Sequence, residues 1–189
     1  MKSAIDQRST LLYPLTAFDH HEEGWVARVE ETRSDGLPDP YRRLLDHLDD
    51  MTPTLETAFG ASIVLNVMDK RLAGQWLYRR VLLVRQPSDE PVEFGAIRID
   101  LSRFSPEPRR RILEGHQPLG AILREFGIPH RSRLFAFLRL KPGPLILDLL
   151  KANRSDVLFG RRNTLLDEQD QILADIVEIL SPVRAATIR

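Results

Sequence analysis

Residues 62–101 read SIVLNVMDKRLAGQWLYRRVLLVRQPSDEPVEFGAIRIDL, and the succession of strand and turn signals within them decides the fold. Ser62 to Asp69 is β-branched and apolar, Arg71 to Gly74 supplies a turn, and Gln75 to Gln86 (QWLYRRVLLVRQ) is again rich in strand formers. Pro87-Ser88-Asp89-Glu90 is turn chemistry, after which Val92 to Leu101 alternates apolar and polar side chains toward its end. Connections this short join antiparallel neighbours, because parallel strands need a long crossover, so the stretch predicts an antiparallel meander.

Working outward on the N-terminal side, Pro38-Asp39-Pro40 offers a cap and a first-turn proline, and Leu44, Leu45 and Leu48 follow at helical spacing, which predicts a helix over 40–50. Thr52 and Pro53 open a second short helix that ends near Gly60. On the C-terminal side, helices are expected over 105–113 and 118–126, and a strand over 133–140. Pro142 to Lys151 fits either a strand or a short helix. Val157 to Leu166 carries an FGRRN segment, and Gln171 to Leu180 satisfies the strand template through Ile172, Ala174, Ile176, Glu178 and Leu180 but also a helix template. Residues 1–37 show no convincing period and read as an extension, loosely structured or packed on a domain spanning 38–189. The expected fold is a single α+β domain whose antiparallel sheet of about six strands is covered by helices. No repeat or Gly-rich phosphate loop favours a parallel Rossmann-type sheet.

Composition narrows the function classes. Twenty-seven basic residues balance 27 acidic ones, which argues against a nucleic-acid partner. The chain has no cysteine, and that excludes a disulfide scaffold, a thiolate nucleophile and a cysteine-built zinc site. Neither a signal-peptide pattern nor a membrane-length apolar run occurs, so a cytoplasmic protein is expected. All but four of the 27 basic residues are arginine. That bias fits GC-rich coding as well as anion recognition and names no ligand.

Charges that interrupt apolar rows are the first candidates for a site, since a buried charge needs a partner. Arg79 shares a face with Leu77, Val81 and Leu83, while Arg80 shares the other with Trp76, Leu82 and Val84, and one of the two must face inward. Glu178 interrupts the last strand in the same way, and each of these charges could equally be a structural ion pair. Pro118-Leu119-Gly120 offers backbone N–H groups at a helix start, and Arg161 and Arg162 follow a glycine. His20, His21, Glu22 and Glu23 lack a second ligand cluster and read as a solvated stretch, not a metal site. Ser132, His130 and Asp148 make no nucleophile motif.

Taken together, Asp50-Met51-Thr52, RRVLL at 79–83, PLG at 118–120, FGRR at 159–162 and EILSP at 178–182 form an ordered set. In this order and at these separations the chain resembles the chorismate pyruvate-lyase family. The resemblance implies a six-stranded antiparallel sheet and a buried site that removes pyruvate from chorismate to leave 4-hydroxybenzoate, with no metal or organic cofactor. It places ligand contacts on Met51, Arg79, Leu119 through its backbone, Gly120 and Glu178. Arg79 would grip a carboxylate and Glu178 would orient a hydroxyl or shuttle a proton, and Arg98, Arg161 and Arg162 are further candidates. It also implies that the last segment is a strand. Two features depart from the family: Gly95-Ala96 stands where an arginine commonly follows the third-strand glycine, and residues 141–156 make a longer loop. The rival reading is a non-catalytic module binding small anions, on the fold shared with effector domains of transcription regulators. A scaffold protein is the third reading, and a blocked pocket would favour it.

Overall fold

The computed structural model describes residues 4–18 and 24–183. The expected meander is present: β2 (Ile63–Ala73), β3 (Trp76–Arg85) and β4 (Glu90–Asp100) pair in sequence. A second meander follows, made of β5 (Arg131–Pro142), β6 (Leu158–Leu166) and β7 (Ile172–Leu180). Pairing of β7 with β4 fuses the two. The undecided last segment is therefore a strand, and its double periodicity has a simple cause. Both of its faces are buried, so apolar side chains occupy nearly every position.

The N-terminal extension is an integral part of the fold. It contributes α1 (Ala4–Leu12), a short 3-10 turn and β1 (Val26–Thr32), which pairs antiparallel with β5. The sheet accordingly has seven strands rather than about six, in the order β1-β5-β6-β7-β4-β3-β2. Its remaining helices are α2 (Tyr41–Leu45), α3 (Met51–Phe59), α4 (Pro106–Glu114), α5 (Leu119–Glu125) and α6 (Pro144–Leu149). The stretch that fitted both templates at 142–151 thus holds a helix.

Helices cover both faces of the sheet. On one face Leu11, Leu12 and Leu15 of the N-terminal segment and Ile146 of α6 pack with Phe94, Val177 and Ile179, and Trp25 stacks on Phe94 at 5.0 Å between ring centres. On the other face lie two separate clusters. One joins α2 and α3 to Leu83, Phe159 and Leu180, and the other joins α4 and α5 to Leu77, Ile97 and Ile99. The gap between these two clusters, above the β4–β7 seam, is where the site sits.

The predicted helix over 40–50 stops at Leu45. Residues 46–50 form an irregular strap instead, because the carbonyls of Leu45, His47 and Asp49 accept from the buried Arg161 of the sheet. The second helix ends at Gly60, whose φ of 59° is the left-handed cap a glycine supplies without strain.

Strands β6 and β7 meet closely at Gly160, where an added Cβ would stand 2.2 Å from the Glu178 carbonyl oxygen. Gly160→Ala is expected to lower the unfolding free energy by about 1–3 kcal/mol through overpacking. Urea denaturation checks this, and an unchanged midpoint would show that the backbones are not in contact at this position.

Candidate functional site

Strand pairing fixes which side chains share the gap. Val81, Gly95, Glu178 and Arg161 make one row across β3, β4, β7 and β6. Arg79, Ile97, Ile176 and Asn163 make the row beside it, and Leu83, Glu93 and Leu180 flank the first row on its other side. All face the same way because side chains alternate along each strand. Together with Met51 of α3 and Leu119 of α5, these residues other than Leu180 line a cavity of about 100 Å³. Gly95 leaves its floor without a side chain.

Arg161 is 2% exposed, and Glu178 balances it through a hydrogen bond from Arg161 Nε to Glu178 Oε2 of 2.5 Å. The remaining nitrogens of the guanidinium hold the strap. Nη1 donates to the carbonyls of Leu45 (3.2 Å) and His47 (2.8 Å), and Nη2 donates to that of Asp49 (3.3 Å). Burial and the neighbouring guanidinium lower the pKa of His47, favouring the neutral ring. The expected inward arginine and inward glutamate are therefore both present, but Glu178 pairs with Arg161 and not with Arg79.

Arg79 is also 2% exposed, and its Nε and Nη1 are buried without a hydrogen-bond partner. Burial alone pushes its pKa down to about 10, which still leaves it cationic at neutral pH. Glu93 is equally buried, and its Oε2 has no partner. Burial first, and then the Glu178 charge, raise the Glu93 carboxyl well above the usual carboxylate range, against the opposing effect of Arg161. Asn163 donates to Ser132 Oγ at 3.1 Å, and its Oδ1 is unpartnered.

The strap borders the cavity at Asp50. This carboxylate rests against Gly120, where an added Cβ would lie 2.4 Å from Asp50 Cγ. It also pairs with Arg124 of α5 and lies 3.8 Å from His130 Nε2. Beyond it lies an open groove of about 980 Å³ between α3 and the start of β5, which shares Asp50, Arg124 and His130 with the cavity wall.

Of the residues singled out in the sequence, Met51, Arg79, Leu119, Gly120, Arg161 and Glu178 surround this one cavity. Arg98 and Arg162 do not. Both fall on the opposite face, where Arg98 pairs with Asp175 at 2.6 Å and stacks on Trp76, and Arg162 stacks on Phe135 and donates to the Thr10 carbonyl. Arg80 also faces that side, over Trp25 and paired with Asp69. The His20 to Glu23 stretch lies outside the described residues. Glu93, Asn163 and Asp50 are site residues that the sequence reading missed. Glu93 was detectable, because it breaks the apolar row it shares with Ile97 and Ile99.

Among solved structures, the chain is similar to PhnF from Mycobacterium smegmatis, with 14% identity and a TM-score of 0.55 over 72% of this chain and 65% of that one. It therefore spans about two thirds of PhnF. The effector domain of PhnF, solved separately, gives the same identity and TM-score, with 70% of this chain and 88% of that domain covered. Gene product SA0254 from Staphylococcus aureus is similar at 8% identity and a TM-score of 0.50, covering 62% and 83%. These likenesses show a shared fold, the chorismate lyase-like α+β fold of effector domains. No protein-family model and no curated protein sequence matches the chain.

The buried charges generate two expectations. Arg79→Met removes a desolvated, unpaired cation and is expected to raise the unfolding free energy by about 1–4 kcal/mol. A lowered urea midpoint would show that Arg79 is compensated within the fold. The second concerns pH. Because the Glu93 pKa is raised in the folded state, its contribution is fully present below the ordinary carboxylate pKa and is lost as pH rises toward the folded value. Denaturation across that range should therefore show wild type losing stability relative to Glu93→Gln as pH rises, and parallel curves would contradict the shift.

Proposed function

We propose that this chain is a ligand-binding module that holds a small organic anion in the cavity, with a carboxylate of the ligand on Arg79. One observation carries this reading: a guanidinium buried to 2% exposure, with Nε and Nη1 unpartnered, in a residue that lines the cavity. Buried charges are ordinarily paired, and a planar guanidinium matches a carboxylate bidentately. The Arg161–Glu178 pair is internally balanced, so the arginine left over is the one that a ligand would neutralise. Met51 and Leu119 supply apolar walls suited to the body of such a ligand. The fold shared with the PhnF effector domain agrees with a binding role.

A second reading, removal of pyruvate from chorismate, is favoured by one specific arrangement. Met51, Arg79, Leu119 and Glu178, the residues on which the lyase resemblance places its contacts, border the same cavity. In that reaction Arg79 would hold a ring carboxylate, and Glu178 would orient the hydroxyl while the enolpyruvyl oxygen departs.

Calorimetry with 4-hydroxybenzoate and chorismate, combined with chromatography for pyruvate, separates the two readings. The binding module predicts that 4-hydroxybenzoate binds wild type and that Arg79→Met abolishes binding. It also predicts that chorismate yields no pyruvate beyond spontaneous decay. Pyruvate release that disappears in Arg79→Met and Glu178→Gln would instead establish the lyase, and absence of both binding and turnover would reject both readings.

A further inference from the structure

We infer that Glu93 is the hydrogen-bond donor of this cavity and that, with the Glu178 carboxylate beside it, it selects anions that also carry a hydroxyl group. The inference rests on the small-anion reading and names the chemistry at the other end of the ligand.

The position of Glu93 carries the argument. It lies on β4 opposite Leu83 of β3 and Leu180 of β7, so neither cross-strand neighbour can donate to it or neutralise it. The guanidinium of Arg161 is occupied by Glu178 and by the carbonyls of the strap. Arg79 sits four residues from Leu83 along β3, roughly 13 Å at the strand rise. No cation is therefore assigned to Glu93, and an ionised carboxylate 3% exposed without one would bear the full desolvation penalty. The acid form avoids that penalty, and the raised pKa agrees with it.

An acid at this point is well placed to read a ligand. The carboxyl lies over the bare floor, since a Cβ on Gly95 would stand 3.3 Å from Glu93 Oε1, and Gly95 is itself the cross-strand partner of Glu178. Glu93 Oε2 is buried with no partner. The cavity thus presents an O–H donor from Glu93 next to an acceptor from Glu178. A hydroxyl both donates and accepts, so it satisfies both groups at once. A methyl ether can only accept, and a bare C–H leaves both groups unpaired. With the cation at the far end of the cavity, the matching ligand is a small hydroxycarboxylate whose two groups sit at opposite ends.

The test compares 4-hydroxybenzoate, 4-methoxybenzoate and benzoate by calorimetry against wild type, Glu93→Gln and Glu93→Leu. In parallel, the side-chain carboxyl of Glu93 is observed by NMR in carbon-13 glutamate-labelled protein, identified as the resonance missing from Glu93→Gln. Wild type should bind 4-hydroxybenzoate about tenfold or more tighter than either analogue, the equivalent of one buried hydrogen-bonding group left unmade. Glu93→Gln, which keeps an N–H donor, should retain the preference, and in Glu93→Leu the ratio should fall toward one. An unchanged ratio in Glu93→Leu, or a Glu93 carboxyl ionised at neutral pH, overturns the inference. If wild type binds none of the three while the Glu93 carboxyl is neutral, the small-anion reading fails for aromatic carboxylates and the donor assignment stands.

Discussion

The guanidinium of Arg161 joins parts of the molecule that backbone pairing does not connect. It projects from β6, takes the Glu178 carboxylate of β7 as its counter-charge, and turns its other nitrogens to carbonyls of residues 45, 47 and 49. Of these, the Leu45 carbonyl is one that a longer α2 would have used for its own ladder. The same contacts therefore end the helix, shape the strap and set Asp50 over Gly120, which separates the cavity from the groove. Without a cation at this depth, Glu178 would be a buried unpaired carboxylate, and removing one partner of such a pair typically costs about 3–5 kcal/mol.

Unmet hydrogen-bonding capacity on this sheet face is concentrated in the cavity. Elsewhere buried polar groups are served: Asp100 accepts from the Ser102 amide and hydroxyl, and Asp175 accepts from Arg98 and Thr164. Arg8, Arg80, Arg98 and Arg162 each have a buried, unpartnered Nε, yet each engages a partner through a terminal nitrogen. Arg79, Glu93 and Asn163 are different, because all three residues line one cavity. Native folds leave few such groups, and three of them in the lining of one cavity are the reason it is the candidate site.

The meander of β2, β3 and β4 was legible because its turns and alternation are local signals. Arg79 and Glu178 were legible as charges in apolar rows, and the face each occupies followed from period two. The rest depended on contacts distant in sequence. Which of two adjacent arginines faces the cavity is decided by what covers each face, and the cover over Arg80, including Trp25 and Phe18, comes from the extension that showed no period. The partner of Glu178 could not be read from spacing, since Arg161 and Arg79 lie on opposite sides of it in the sheet. Glu93 obeyed the same rule that exposed Arg79, but it stands just after an acidic turn, where a charge looks solvated. Strand β1 escaped because edge pairing with β5 and packing under Trp25, more than its own pattern, hold it in place.

The sheet also shows where a side chain at position 96 would point. Ala96, where the lyase resemblance calls for a cation, packs in the cluster of the opposite face, so a longer side chain there would project away from Arg79. The closed cavity consequently offers one unmatched cation. A monoanion neutralises it with the strap in place. A dicarboxylate such as chorismate brings a second charge, and Arg124, which also lines the cavity, is already paired with Asp50. On the small-anion reading, one unmatched cation suits a singly charged ligand better than a dianion.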